Sequence, residues 1–189
     1  MTVAIKSGAT FVVAACLAMA SPAAAQSDQA MIDRALLGAP AGMVRQNASV
    51  VKWGDDGKRV VIKQGTNDMV CWDQSVWPGQ LPFSVHCTSS KSMDRVDQNR
   101  AFYYEHKTRE AAEKAIKEAE TAGKRVLPEY GAGHYGLQGK DQETARPHVT
   151  IAVPNATAAS LKIPDKASTS GMWLMDAGTT GAHIMIPGH

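Results

Sequence analysis

The residue pattern predicts an α+β domain: a mostly antiparallel sheet with one or two surface helices and a single disulfide. Three observations lead there. Residues 49–87 break into short alternating segments separated by Gly, Asp and Asn turns. Residues 108–121 carry one clear helical periodicity, and residues 148–186 return to alternation. Strands, then helix, then strands is the order of an α+β fold, not of a βαβ repeat.

The elements follow in order. Asp28 can cap a short helix in which Ile32, Leu36 and Leu37 share a face, and Gly38 to Gly42, with Pro40 inside, ends it. Ser49–Trp53 and Lys58–Gln64 flank Gly54-Asp55-Asp56-Gly57, an ordinary hairpin signal. Gly65-Thr66-Asn67-Asp68 turns the chain into Met69–Trp72, and the loop Ser75–Pro82 leads into Phe83–Cys87. Alternation sets Phe83, Val85 and Cys87 on one face and Ser84 and His86 on the other. Met69 and Cys71 share a face, so two sulfurs can point inward from neighbouring strands.

Ser92–His106 carries mixed signals. Met93 and Val96 suit a helix while Phe102-Tyr103-Tyr104 suits a strand, so a helix fraying into extended chain near Phe102 is expected. Thr108 caps the next helix, which runs to about Thr121 on a narrow stripe of Ala112, Ala115, Ile116 and Ala119. Such a stripe packs lightly, at the surface. Glu110–Lys114 and Glu113–Lys117 are supporting pairs, and Gly123 is the stop. His148–Val153 alternates Val149, Ile151 and Val153 against His148, Thr150 and Ala152. Met172–Met175 and His183–Ile186, around Gly178-Thr179-Thr180-Gly181, form a closing hairpin.

The N-terminus predicts export. Met1 to Lys6 carries one positive charge, Gly8 to Met19 is apolar, and Ala23-Ala24-Ala25 offers a small-residue cleavage site before Gln26. The domain organisation is therefore a signal peptide, 1–25, and one exported domain, 26–189. The apolar run falls short of the roughly 20 residues that span a bilayer, so no transmembrane segment is expected in the mature chain. Val13-Ala14-Ala15-Cys16 also matches a lipobox, and acylation at Cys16 would tether the same fold to a membrane. A periplasmic or secreted protein is expected, with the lipid anchor as the alternative.

Cys71 and Cys87 are the only cysteines of the mature chain, and in an oxidising compartment they read as a disulfide. Two free thiols or half a metal site is the rival reading. Removing Lys6 with the leader takes the formal charge from +2 to +1. No basic stripe or acidic block points to nucleic acid or to a membrane surface.

The chain also resembles a family of uncharacterised exported bacterial proteins. The matching pieces are Ala39-Pro40-Ala41, Ala48–Trp53, Gly65-Thr66-Asn67 and the Cys71…Cys87 pair. They continue through Gly136-Leu137-Gln138-Gly139, Pro147-His148-Val149, Val153-Pro154, Gly171–Trp173, Gly178-Thr179 and Ala182–Pro187. The segment Ser92–Arg125 departs most, and similar proteins carry longer aromatic runs around Tyr135 and after the second cysteine. The resemblance implies a shared exported domain and brings no activity and no site residues.

Motif by motif, no catalytic, cofactor or metal residue is assigned. Gly131-Ala132-Gly133-His134-Tyr135-Gly136 spells the dinucleotide fingerprint, but Pro128 interrupts any preceding strand, Gly139 weakens any following helix, and no βαβ pattern surrounds it. A glycine-rich loop or bulged strand is expected instead. The histidines His86, His106, His134, His148, His183 and His189 show no metal-helix spacing. His183 and Met185 share a strand face, Met172 and Met175 lie in the partner strand on opposite faces, and a soft His/Met copper site is conceivable, although methionine at strand spacing is ordinarily core filler. There is no Gly-x-Ser-x-Gly elbow or Ser-x-x-Lys, and the carboxylates are scattered. Trp53, Trp72, Trp77 and Trp173 are expected either to line a groove or, more commonly, to be buried around the disulfide. The sequons at Asn47 and Asn155 read as chance matches behind a bacterial-type signal. The expected role is a small exported binding or structural protein of the envelope, its partner unidentified. The alternative is an unrecognised hydrolase or metal-dependent enzyme whose site forms only in three dimensions.

Overall fold

The computed structural model describes residues 22–167 and 171–186. Residues 1–21 of the expected leader, Cys16 among them, and His189 lie outside the described residues. Eight strands form one sheet: β1 (Ser49–Trp53), β2 (Arg59–Lys63), β3 (Met69–Asp73), β4 (Phe83–Ser89), β5 (Gly133–Gly139), β6 (Arg146–Ala152), β7 (Trp173–Met175) and β8 (His183–Ile186). Their spatial order is β2-β1-β3-β4-β5-β6-β8-β7. Only β1 and β3 pair in parallel; the other neighbours are antiparallel. The fold is α+β as expected, with helices α1 (Pro22–Leu36), α2 (Met43–Gln46), α3 (Met93–His106), α4 (Arg109–Thr121) and α5 (Ala158–Leu161). Among the described residues no helix is long and apolar enough to cross a membrane.

Strand alternation divides the side chains between two faces, and each is covered by its own helix. On the first face α1 lays Ile32, Ala35 and Leu36 over Val50, Cys71 and Cys87. On the second, Met93 and Val96 of α3 pack against Val51, Val70, Trp72 and Trp77. A smaller core of Val153, Ala156, Leu174 and Ala182 gathers beside α5.

Cys71 and Cys87 stand directly opposite each other across β3 and β4 and are bonded, with Cα atoms 4.0 Å apart. The intervening loop is fastened separately. Trp77 is buried on the second face, against Trp53 at 5.4 Å and Tyr103 at 6.2 Å between ring centroids. Trp53 and Trp72 meet edge to face at 6.4 Å on that same side. Three of the four tryptophans thus cluster opposite the disulfide, not around it.

Several local expectations need correcting. Asp28 does not cap a helix; α1 already starts at Pro22, a residue suited to a first turn, and Asp28 pairs with Lys52 on β1. The expected cleavage point before Gln26 falls inside α1. Helix α3 does not fray at Phe102. Arg100 lies 3.8 Å from the Tyr104 ring centroid and Arg125 sits over Phe102, and these contacts keep the aromatic run helical until Lys107 turns it off at φ 61°. In α4, Thr108 does cap, accepting from the Ala111 N–H at 3.3 Å, and Gly123 follows at φ +65°. The ion pairs are Arg109–Glu113 and Lys114–Glu118, because Arg109 claims Glu113 ahead of Lys117. The glycine-rich segment from Gly133 is a regular strand, β5, which joins the two halves of the sheet.

Candidate functional site

The second face gathers four of the six histidines. Residues paired across a sheet share a face, and the register places Trp72, His86, Gly136 and His148 in one row across β3, β4, β5 and β6. The next row holds His134, Thr150, Met185 and Trp173. A third row holds Ala152, His183 and Met175. None of these histidines shares a helix turn with another, which is why no spacing in the chain announces them.

One end of this histidine face is sealed. The Ser84 Oγ and His86 Nε2 lie 2.9 Å apart, and His86 Nδ1 and His134 Nε2 lie 3.0 Å apart. The Trp72 indole stacks on His86 at 5.8 Å and 22°. Gly136 makes room for the ring: a Cβ there would lie 3.0 Å from His86 Cε1 and Nδ1. One proton serves the two facing nitrogens, and a second would find no acceptor. Burial, with His134 and then His148 nearby, holds the His86 imidazole well below its ordinary range. Burial, with His148 and His183 nearby, brings His134 down to about 4. His148 is lowered by burial and by His183. These rings are neutral at pH 7.

The Ser84–His86–His134 chain has the connectivity of a nucleophile, a base and an orienting group. Its surroundings do not suit that task. Ser84 is 0 % exposed and His86 only 6 %, so no substrate reaches the hydroxyl. Ser84 and His86 are buried and His134 is half-buried, and the three form a satisfied polar network that fixes the packing of β3, β4 and β5.

The other end is open. His148, His183, Met185 and Trp173 are half-buried, and Met175 is 46 % exposed. His183 Nδ1 lies 2.8 Å from the Gly181 carbonyl, which can only accept, so Nδ1 carries the proton and Nε2 keeps its lone pair. Next to it runs a cleft of about 540 Å³ between α4 and the β7–β8 turn, lined by Arg95, Glu113, Lys117, Glu120, Asp176 and Met175 among others. The turn is tied to the helices: Glu120 accepts from the Thr180 N–H at 2.7 Å and from its hydroxyl, and Arg95 donates to the Thr180 hydroxyl at 2.9 Å. Among the described residues no three His, Cys, Asp or Glu side chains come together to hold a metal ion.

Of the residues singled out in the sequence, Cys71 and Cys87 form the bridge, which removes the free-thiol reading. His183 and Met185 do share a face, and Met175 joins them across β7, while Met172 precedes that strand. His106 stands apart, stacked on Phe102. Sequence reasoning missed the Ser84–His86–His134 chain, although the alternation of Ser84 and His86 held half of the signal. Comparison with protein-family models, curated proteins and solved structures gives no match.

Proposed function

We propose that this is an exported protein of the bacterial envelope, periplasmic or secreted, that acts by binding, and that it binds at the open end of the histidine face. One observation carries the choice between binding and catalysis. The only nucleophile–histidine chain found among the described residues has its hydroxyl and base buried, whereas the imidazoles, thioethers and indole that reach solvent lie beside the cleft under α4. Export is supported by the leader pattern of residues 1–25, by the disulfide and by the resemblance to an exported family. Nucleic acid is not the expected partner of a chain with so little net charge.

A second reading, a hydrolase using Ser84 and His86, draws on the 2.9 Å contact alone and requires β4 to be uncovered. Two measurements test the proposal. Intact mass of the protein recovered from the envelope is expected to show a chain beginning at Gln26; a diacylated Cys16 terminus would replace the free form with the anchored one. Native mass spectrometry of the same material is expected to show a bound species that Trp173→Ala abolishes. Ester or phosphoester hydrolysis that disappears on Ser84→Ala would overturn the binding reading.

A further inference from the structure

We infer that the open end of the histidine face is a site for a soft monovalent metal ion, Cu(I), held by the His183 imidazole and the Met175 and Met185 thioethers beside the Trp173 indole. This rests on the binding reading above and names its ligand.

The register does the assembling. Met175 stands directly opposite His183, and Trp173 directly opposite Met185, on the antiparallel pair β7–β8. Directly opposed residues have Cβ atoms about 5 Å apart, and diagonal ones about 7–8 Å apart, within reach of long side chains. His183 and Met185, two residues apart on one strand, are separated by about 7 Å along it. Three donor side chains on one face at these separations can meet on a single ion, because methionine turns about three bonds to bring its sulfur in.

The donor set selects the metal. One imidazole nitrogen and two thioethers, with no carboxylate or thiolate among them, suit Cu(I) and its analogue Ag(I) and suit Zn(II) or Mg(II) poorly. His183 is prepared as a ligand: its Nδ1–H is spent on the Gly181 carbonyl at 2.8 Å, so Nε2 is free to donate its pair to a metal. A backbone carbonyl on the far nitrogen is the usual way to orient a ligating histidine. Trp173 supplies a π face to the bound cation and shields it from water. Met175 and Met185 are not core filler: Met175 is 46 % exposed and lines the cleft against α4, and Met185 is half-buried.

The test is an anaerobic Cu(I) titration of the mature full chain against bicinchoninate as competing chelator, repeated with Ag(I) as a redox-inert probe and Zn(II) as a hard one. The expected result is one Cu(I) or Ag(I) retained per chain, with quenching of tryptophan emission that Trp173→Phe removes. The paired substitution Met175→Leu with Met185→Leu keeps side-chain volume, and near-ultraviolet circular dichroism checks its fold. It is expected to weaken Cu(I) binding by more than the about 10–100-fold typical of outer-shell changes. His183→Gln is expected to do the same. Failure to hold Cu(I) against the chelator overturns the assignment, and so does undiminished binding by the double leucine variant or Zn(II) binding as tightly as Cu(I). The wider reading fails separately. An adduct of another mass, lost on Trp173→Ala in a chain that takes no Cu(I), leaves binding at this face standing and removes the metal. Ser84-dependent hydrolysis removes the binding reading itself.

Discussion

The two ends of the histidine face are made by the same alternation of residues along strands, yet they meet different surroundings. Over β3 and β4 the side chains lie beside α3 and the cluster of Trp53, Trp72 and Trp77, and every residue from Phe83 to Thr88 is buried, with His134 of β5 half-buried at the margin. Over β6, β8 and β7 the side chains of His148, His183, Met185 and Trp173 stay half-buried. Helix α4 packs on α3 and faces Met175 and the β7–β8 turn across a cleft, so the far strands are covered only in part on this face. A histidine on a strand becomes structural or available according to whether the second layer reaches it.

The strongest way to break this comparison is to remove one tryptophan from each end. Trp72 is 1 % exposed and stacks on His86, so Trp72→Ala is expected to cost about 4 kcal/mol in stability. Trp173 is half-buried at the open end, and Trp173→Ala is expected to cost about 1 kcal/mol while abolishing ligand binding. Urea unfolding of the two variants measures both. Equal losses would mean that the open end is as tightly packed as the sealed one.

The disulfide ranks next. It closes a 16-residue separation midway along the β3–β4 hairpin, under α1 and on the side away from the histidines. Replacing both Cys71 and Cys87 by Ala is expected to lower stability by about 3 kcal/mol in the chain-entropy picture. Metal affinity at His183 is expected to stay unchanged, since β3 and β4 are separated from β8 by two strands. Thermal unfolding with and without reductant gives the first value, and chelator competition the second.

Acid sharpens the contrast chemically. His134 titrates near 4 in the folded chain against an ordinary value of 6.5, and His86 is shifted in the same direction. The unfolded chain therefore binds more protons than the folded one between these values. Stability is complete above about pH 6.5 and falls as pH drops towards 4. At 1.36 kcal/mol per pH unit, His134 alone is expected to account for about 2 kcal/mol lost by pH 5. His134→Gln is expected to flatten that slope in urea midpoints measured between pH 5 and 7. A slope left unchanged would mean that the sealed pair does not control acid stability.

How much of this was readable in the chain depends on the range of the signal. The β1–β2 hairpin, α4 with its Thr108 cap and Gly123 stop, and the Cys71–Cys87 bridge rest on neighbouring residues or on simple counting, and they were legible. Strand β5 was legible only in part, because Gly133, Gly136 and Gly139 left a loop or a bulged strand open where the register makes a regular one. Gly136 is glycine because the His86 ring, 50 residues away in sequence, needs the space a Cβ would take. The aromatic run Phe102-Tyr103-Tyr104 was misread for a related reason: its helical state depends on Arg100, Arg125 and Trp77. The candidate site shows both situations. His183 and Met185 were seen on one face and Met175 in the partner strand, whereas the pairing of Met175 with His183 is fixed only by the register of β7 on β8.

The smallest effect concerns the tether between the open end and the helices. Glu120 on α4 receives the Thr180 N–H and hydroxyl, and with Arg95 it is what holds the β7–β8 turn against the helical layer. Glu120→Ala removes two acceptor contacts at a half-buried position, a change of about 1 kcal/mol by the usual worth of such bonds. If the open end is a locally separable unit, the loss is confined to it. Amide exchange at Thr180 is then expected to quicken by about fivefold, the factor that corresponds to 1 kcal/mol, while the amides of β3 and β4 keep their protection. Exchange read residue by residue decides the matter. Faster exchange across β3 and β4 as well would show that the turn, and not α3, governs the sealed end, and the division of the face into two differently supported halves would no longer hold.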